Sequence, residues 1–131
     1  MTFVVPIVSI SLNETILADI DSVQKSLGFS GRSELIRSAV RRFLAEEKEL
    51  DRVTGRISSI LFTTHAPNDE EAVTETKHDF DDIIATHIHS KLENGKCLET
   101  FILTGEADRV RALFQALQVS KKVDYVKLFL T

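Results

Sequence analysis

The sequence predicts an α+β chain in two parts, a strand–helix–helix unit over residues 1–48 and a βαββαβ unit over residues 49–131. Three observations predict it. Residues 7–12, IVSISL, alternate apolar and polar side chains. Two stretches between Asn13 and Leu44 then carry apolar residues at helical spacing. Beyond Arg52, strand-like and helix-like periods follow one another in the order strand, helix, strand, strand, helix, strand.

The first strand puts Val8, Ile10 and Leu12 on one face and Ile7, Ser9 and Ser11 on the other. Asn13 is a good N-cap for a helix whose apolar positions are Ile16, Leu17, Ile20, Val23 and Leu27, and Gly28 supplies its stop. Ser30 or Ser33 is available to cap a second helix, striped by Leu35, Ile36, Ala39, Val40, Phe43 and Leu44. The charged run AEEKELDR, residues 45–52, carries that helix into a connector. GRISSILFTT then looks like a strand and NDEEAVTETKHDF like a helix that opens on acidic residues. DIIATHIHSKL and KCLETFILTG flank Asn94-Gly95 as a hairpin, EADRVRALFQALQVSK is amphipathic at helical period, and VDYVKLFLT closes as a strand. The order βαββαβ is that of a ferredoxin-like split βαβ domain.

The bulk composition narrows the function classes. No run of roughly 18 apolar residues is present, which argues against a membrane span. The apolar start, MTFVVPIVSISLNE, lacks a basic leader and a small-residue cleavage site. A single cysteine excludes an internal disulfide and fits a reducing cytoplasm. A net charge of -4 argues against coating nucleic acid by overall attraction but leaves room for a local basic surface. No nucleophile with a neighbouring base, and no glycine-rich phosphate loop, suggests an enzyme.

A strand–helix–helix of about 40 residues cannot bury a sufficient core alone, so a dimer is expected, with two strands pairing as an antiparallel ribbon. IVSISLNETILADIDSVQKSLGFSGRSELIRSAVRRFL resembles the ribbon-helix-helix family of DNA-binding proteins, most closely at GFSGRSELIR. That resemblance implies a ribbon in the major groove, with Ile7, Ser9 and Ser11 facing base edges. Ile7 is a departure, because this outward position in the family is often polar or basic. The start of the second helix, with Arg32 and Ser33, would hold a phosphate through its free N–H groups and positive end.

THIHSKLENGKCLE, residues 86–99, gathers two of the four histidines and the only cysteine. His87 and His89 are two apart on a strand and share a face. Nitrogen and sulfur donors of this kind suit nickel or copper(II) in a square-planar set. Cys97 joins them only if it lies on that face close to opposite His89, and His78 offers a fourth nitrogen from its own or a facing subunit. The hairpin register decides. A two-residue turn at Asn94-Gly95 turns Cys97 to the opposite face. A three-residue loop, Glu93 to Gly95, sets it opposite Lys91 and about 13 Å along the sheet from His87. A five-residue loop, Lys91 to Gly95, sets it opposite His89.

Together, KHDF, THIH and KCLE behind a ribbon-helix-helix unit resemble the nickel-responsive transcriptional regulators over nearly the whole chain. The resemblance implies a ribbon-helix-helix domain joined to a ferredoxin-like regulatory domain of the ACT type. It also implies a tetramer with nickel between regulatory domains, and a repressor acting on an operator with two half-sites. Carried over by motif, the nickel ligands are His87, His89, Cys97 and, across the interface, His78. This chain departs from the pattern twice: it is two residues shorter before the histidine pair and two longer after it. A slide of two preserves the face but moves a side chain by about 6.8 Å. The departures leave a second reading open, a regulator of the same architecture that has lost or altered the nickel site and answers to another small ligand.

Overall fold

The computed structural model describes residues 5–131 and divides into two compact units, with the boundary between Glu49 and Leu50. The first four residues of the apolar N-terminal stretch lie outside the described residues.

The first unit contains α1 (Glu14–Leu27) and most of α2 (Arg32–Arg52). Asn13 caps α1, its Oδ1 accepting from the Ile16 amide at 2.8 Å, and Gly28 ends the helix in the left-handed conformation. At the start of α2, Glu34 accepts from the Ser30 amide at 3.2 Å and from its hydroxyl, which satisfies two donors ahead of the first turn. Residues 7–12 are not a strand in this chain. A strand is defined by its ladder, and the single chain presents nothing for these residues to pair with. Ile7, Val8 and Ile10 are consequently more than 70 % exposed. No residue of α1 is buried, and Val40, Phe43 and Leu44 of α2 are about half-exposed.

The second unit is a four-stranded antiparallel sheet in the order β2-β3-β1-β4, with strands β1 (Arg56–His65), β2 (Ile84–Lys91), β3 (Cys97–Glu106) and β4 (Tyr125–Leu130). Helices α3 (Glu70–His78) and α4 (Ala107–Gln118) complete it, with short 3-10 turns at Pro67–Asp69 and Asp81–Ile83. The order is the ferredoxin-like one expected from the sequence. Alternation dictates the layers. Leu61, Phe101 and Leu103 point to the helix-covered face and are fully buried, with Val110, Leu113 and Leu117 of α4 and Phe80 and Ile83 from the segment after α3. On the opposite face Ile88, Ile102, Tyr125 and Phe129 remain between 41 % and 56 % exposed.

The last turn of α2 belongs to this unit. Leu50 is buried, and the Arg111 guanidinium donates to the carbonyls of Leu50 at 2.9 Å and Val53 at 2.7 Å. These are orphan acceptors at a helix C-terminus, which a cation satisfies well. Among the described residues, no helix is long and apolar enough to cross a membrane.

Candidate metal centre

The hairpin between β2 and β3 sets the geometry of the site. Lys91 pairs with Cys97, the Leu92 amide donates to the Lys96 carbonyl at 2.8 Å, and Gly95 sits at φ 84°. Glu93, Asn94 and Gly95 thus form the three-residue loop with glycine in the left-handed position, and the two-residue and five-residue alternatives are set aside. Cys97 faces Lys91, not His89.

Register then sorts the histidines. His89 pairs with Glu99 and His87 with Phe101 on β3, while His65 at the end of β1 pairs directly with Cys97. Partners in an antiparallel ladder share a face, so His65, His87, His89, Cys97 and Glu99 all lie on the helix-covered side. His65 reaches Cys97 from one flank and His89 reaches it diagonally from the other. One donor atom each from His65, His89 and Cys97 lie within 4.8 Å of one another. The His65 and His89 rings are near-parallel, with centroids 6.2 Å apart. With bonds of about 2.0–2.3 Å, donors on one ion lie about 3 Å apart in cis and up to about 4.4 Å in trans. Modest side-chain adjustment therefore brings these three into range. Two imidazoles and a thiolate suit a borderline-soft divalent cation, so the residues fit nickel by donor chemistry as well as by spacing.

The expected ligand set is brought together only in part. His89 and Cys97 meet. His87 is four residues along β2 from Lys91, roughly 13 Å from the Cys97 rung. Its Nε2 is 2.7 Å from Glu99 Oε1, its ring stacks on Phe101 at 4.6 Å, and its Nδ1 is 3.4 Å from Lys77 Nζ. His78, the last residue of α3, is exposed, with Nδ1 3.3 Å from Asp81 Oδ2. His65, which sequence reading passed over, stands across from Cys97 and close to His89 instead. The strand was read as ending at Thr64, one residue short. Continuing the alternation of Leu61 and Thr63 would have set His65 on the inner face.

Glu99 organises the site's interior. It is 2 % exposed, and its two oxygens bridge His65 Nε2 at 2.6 Å and His87 Nε2 at 2.7 Å. His65 Nδ1 donates to the Ala66 carbonyl at 2.7 Å, since a carbonyl only accepts. That bond fixes the ring with Nε2 toward the site, the orientation that metal-binding histidines commonly receive from a backbone acceptor. His89 Nδ1 is 3.4 Å from Glu70 Oε1 at the start of α3.

In the first unit, the positions expected to meet DNA are exposed. Arg32 is held by a two-pronged contact to Asp21, Nε to Oδ1 at 2.7 Å and Nη2 to Oδ2 at 2.8 Å. The Arg32 guanidinium holds the Asp21 carboxyl below its ordinary range. The hydrogen bond from Ser30 does the same for Glu34.

Comparison with known proteins agrees with both halves. Residues 7–47 match the ribbon-helix-helix proteins of the copG family, and residues 55–131 match the NikR C-terminal nickel-binding domain. A protein of Methanocaldococcus jannaschii with the provisional name nickel-responsive regulator is 35 % identical over 124 residues, covering 92 % of this chain and 88 % of that protein. One of Methanothrix thermoacetophila, similarly named, is 32 % identical over 127 residues, covering 95 % and 91 %. Among solved structures, the uncharacterized protein TM1266 of Thermotoga maritima superposes with a TM-score of 0.53 at 19 % identity, over 58 % of this chain and 98 % of its own, a likeness of fold alone. The chain thus belongs to the nickel-responsive regulators, DNA-binding proteins that join a ribbon-helix-helix unit to a nickel-binding ferredoxin-like domain and are not enzymes.

Proposed function

We propose that this regulator is a cytoplasmic, nickel-dependent repressor that grips a double-stranded operator with two half-sites. The observation that carries the reading is the convergence of His65, His89 and Cys97 in a chain that also bears a ribbon-helix-helix unit. Two protomers pair residues 7–12 as a ribbon, covering Val40, Phe43 and Leu44, and Ser9 and Ser11 then reach base edges while Ile7 shapes the fit. Arg32 and Ser33 hold a phosphate at the start of α2. Two such dimers join through their regulatory units, which carry the metal seat.

A bound nickel ion would supply a further cross-link between β1, β2 and β3 beside their ladders and the Glu99 bridge. His89 and Cys97 bind it in this reading, and His78 of a second protomer adds a nitrogen across the interface. Linkage then requires that DNA tighten metal binding as much as metal tightens DNA binding. The direct test is an operator-binding titration with and without nickel. Tighter binding by about 10-fold or more is expected, a coupling within the usual range for allosteric proteins. Equal affinity in both conditions would remove the regulatory claim and favour the second reading, a regulator of this architecture with a different effector.

A further inference from the structure

We infer that His65, not His87, is the second imidazole of the nickel seat, and that His87 works behind it through the shared carboxylate of Glu99. The inference rests on the nickel-regulator reading and concerns which side chains touch the ion. Three observations carry it.

The first is register. The ladder seats His65 directly across from Cys97, whereas His87 stands at the Phe101 rung, roughly 13 Å away. Bringing His87 within reach would need β2 to slide along β3, and the Leu92–Lys96 hydrogen bond and the Gly95 loop oppose that slide. The second is commitment. Both nitrogens of His87 are engaged, with Glu99 and with Lys77, and its ring lies flat on Phe101 at an interplanar angle of 7°. The third is orientation. His65 is fully buried, its Nδ1 is committed to the Ala66 carbonyl, and its Nε2 is directed into the site.

On this assignment His65 Nε2 exchanges its contact with Glu99 for the ion, while Glu99 keeps His87. His87 is then a positioning residue that holds the carboxylate beside the seat. Three donors come from three neighbouring strands of a single chain, so the seat is built before any second protomer adds to it.

The test uses the full chain titrated with Ni(II). Thiolate-to-nickel charge-transfer absorption reports ligation at Cys97, and equilibrium dialysis reports stoichiometry. Cys97→Ser should abolish the band. His65→Gln should abolish it or weaken binding by more than about 100-fold, beyond what an outer-shell partner contributes. His87→Gln should keep the band position and one ion per chain, with affinity lower by about 10–100-fold, as befits a supporting residue. The reverse pattern, loss with His87→Gln and retention with His65→Gln, would overturn the assignment. Because His65 is buried and its variants can misfold, nickel-edge anomalous diffraction from loaded wild-type crystals provides the same answer without substitution. A peak bounded by Cys97 and His65 supports the assignment, and one beside His87 refutes it. Wild-type protein that takes up no nickel at all would instead sink the parent reading.

Discussion

At the scale of single residues, the start of α2 is electrostatically restrained. Arg32 is the side chain expected to neutralise a phosphate, yet both prongs of its guanidinium are occupied by Asp21. Bidentate pairing is the strongest geometry open to such groups, even at an exposed site where solvent weakens it. A phosphate must therefore compete with a carboxylate for the same fork. Asp21→Asn removes the competitor and leaves Arg32 free. The variant should bind DNA more tightly at low salt, and its affinity should fall more steeply with salt, by about 0.9 in the log–log slope for one added phosphate contact. Binding measured across a salt series checks this, and an unchanged slope would mean that Arg32 touches no phosphate. The carboxylates also give the sign of an acid response. Asp21 and Asp82, each beside an arginine, hold folded-state values below the ordinary carboxylate range. Their contribution is present at neutral pH and is lost as pH falls through those depressed values.

At the scale of elements, one loop determines which histidines can share an ion. Gly95 at φ 84° allows Leu92 and Lys96 to pair, and that pair sets Lys91 against Cys97. An alanine there must adopt a left-handed backbone, so Gly95→Ala should destabilise the second unit by roughly 1–2 kcal/mol. Denaturant unfolding followed at the sheet checks the figure. No loss would mean that the loop is free to adopt another form and that the register is held elsewhere. The same loop shows what sequence could and could not reveal. Every strand and α-helix of the second unit was legible, because alternation and amphipathic period are local signals that the packing reinforces. The register was not, since Asn-Gly suits both a two-residue and a three-residue turn. The choice depends on a ladder between residues far apart in sequence. His65 escaped for a related reason: its meaning lies in its cross-strand neighbour Cys97, 32 positions later, and not in any motif of its own. Residues 7–12 read clearly as a strand by alternation, but the single chain offers them no ladder to pair with.

At the scale of the whole molecule, the two units differ in how much of their apolar surface one chain can cover. The sheet and α4 bury a contiguous core around Leu61, Phe101 and Leu113, whereas α1 buries nothing and Phe43 stays half-exposed beside Leu27, Phe29 and Leu35. A single ribbon-helix-helix unit is too small to be stable without a partner, so its folding should be coupled to association and its melting should depend on protein concentration. The ferredoxin-like unit brings His65, His89 and Cys97 together within one chain, so on the assignment proposed above the seat needs no such help to form. Phe43→Glu separates the two requirements by placing a charge on the surface that a second protomer must cover. The variant should lose ribbon pairing and operator binding, and its N-terminal melting transition should disappear or cease to move with concentration. Nickel uptake at the Cys97 thiolate should persist, with affinity lowered only by whatever the second protomer contributes. Thermal melts across about two decades of concentration, paired with the charge-transfer titration, measure both effects on the same sample. If Phe43→Glu still pairs and still binds DNA, this face of α2 is not what holds the two protomers together. If it loses the thiolate band along with dimerisation, the nickel seat is not built by one chain.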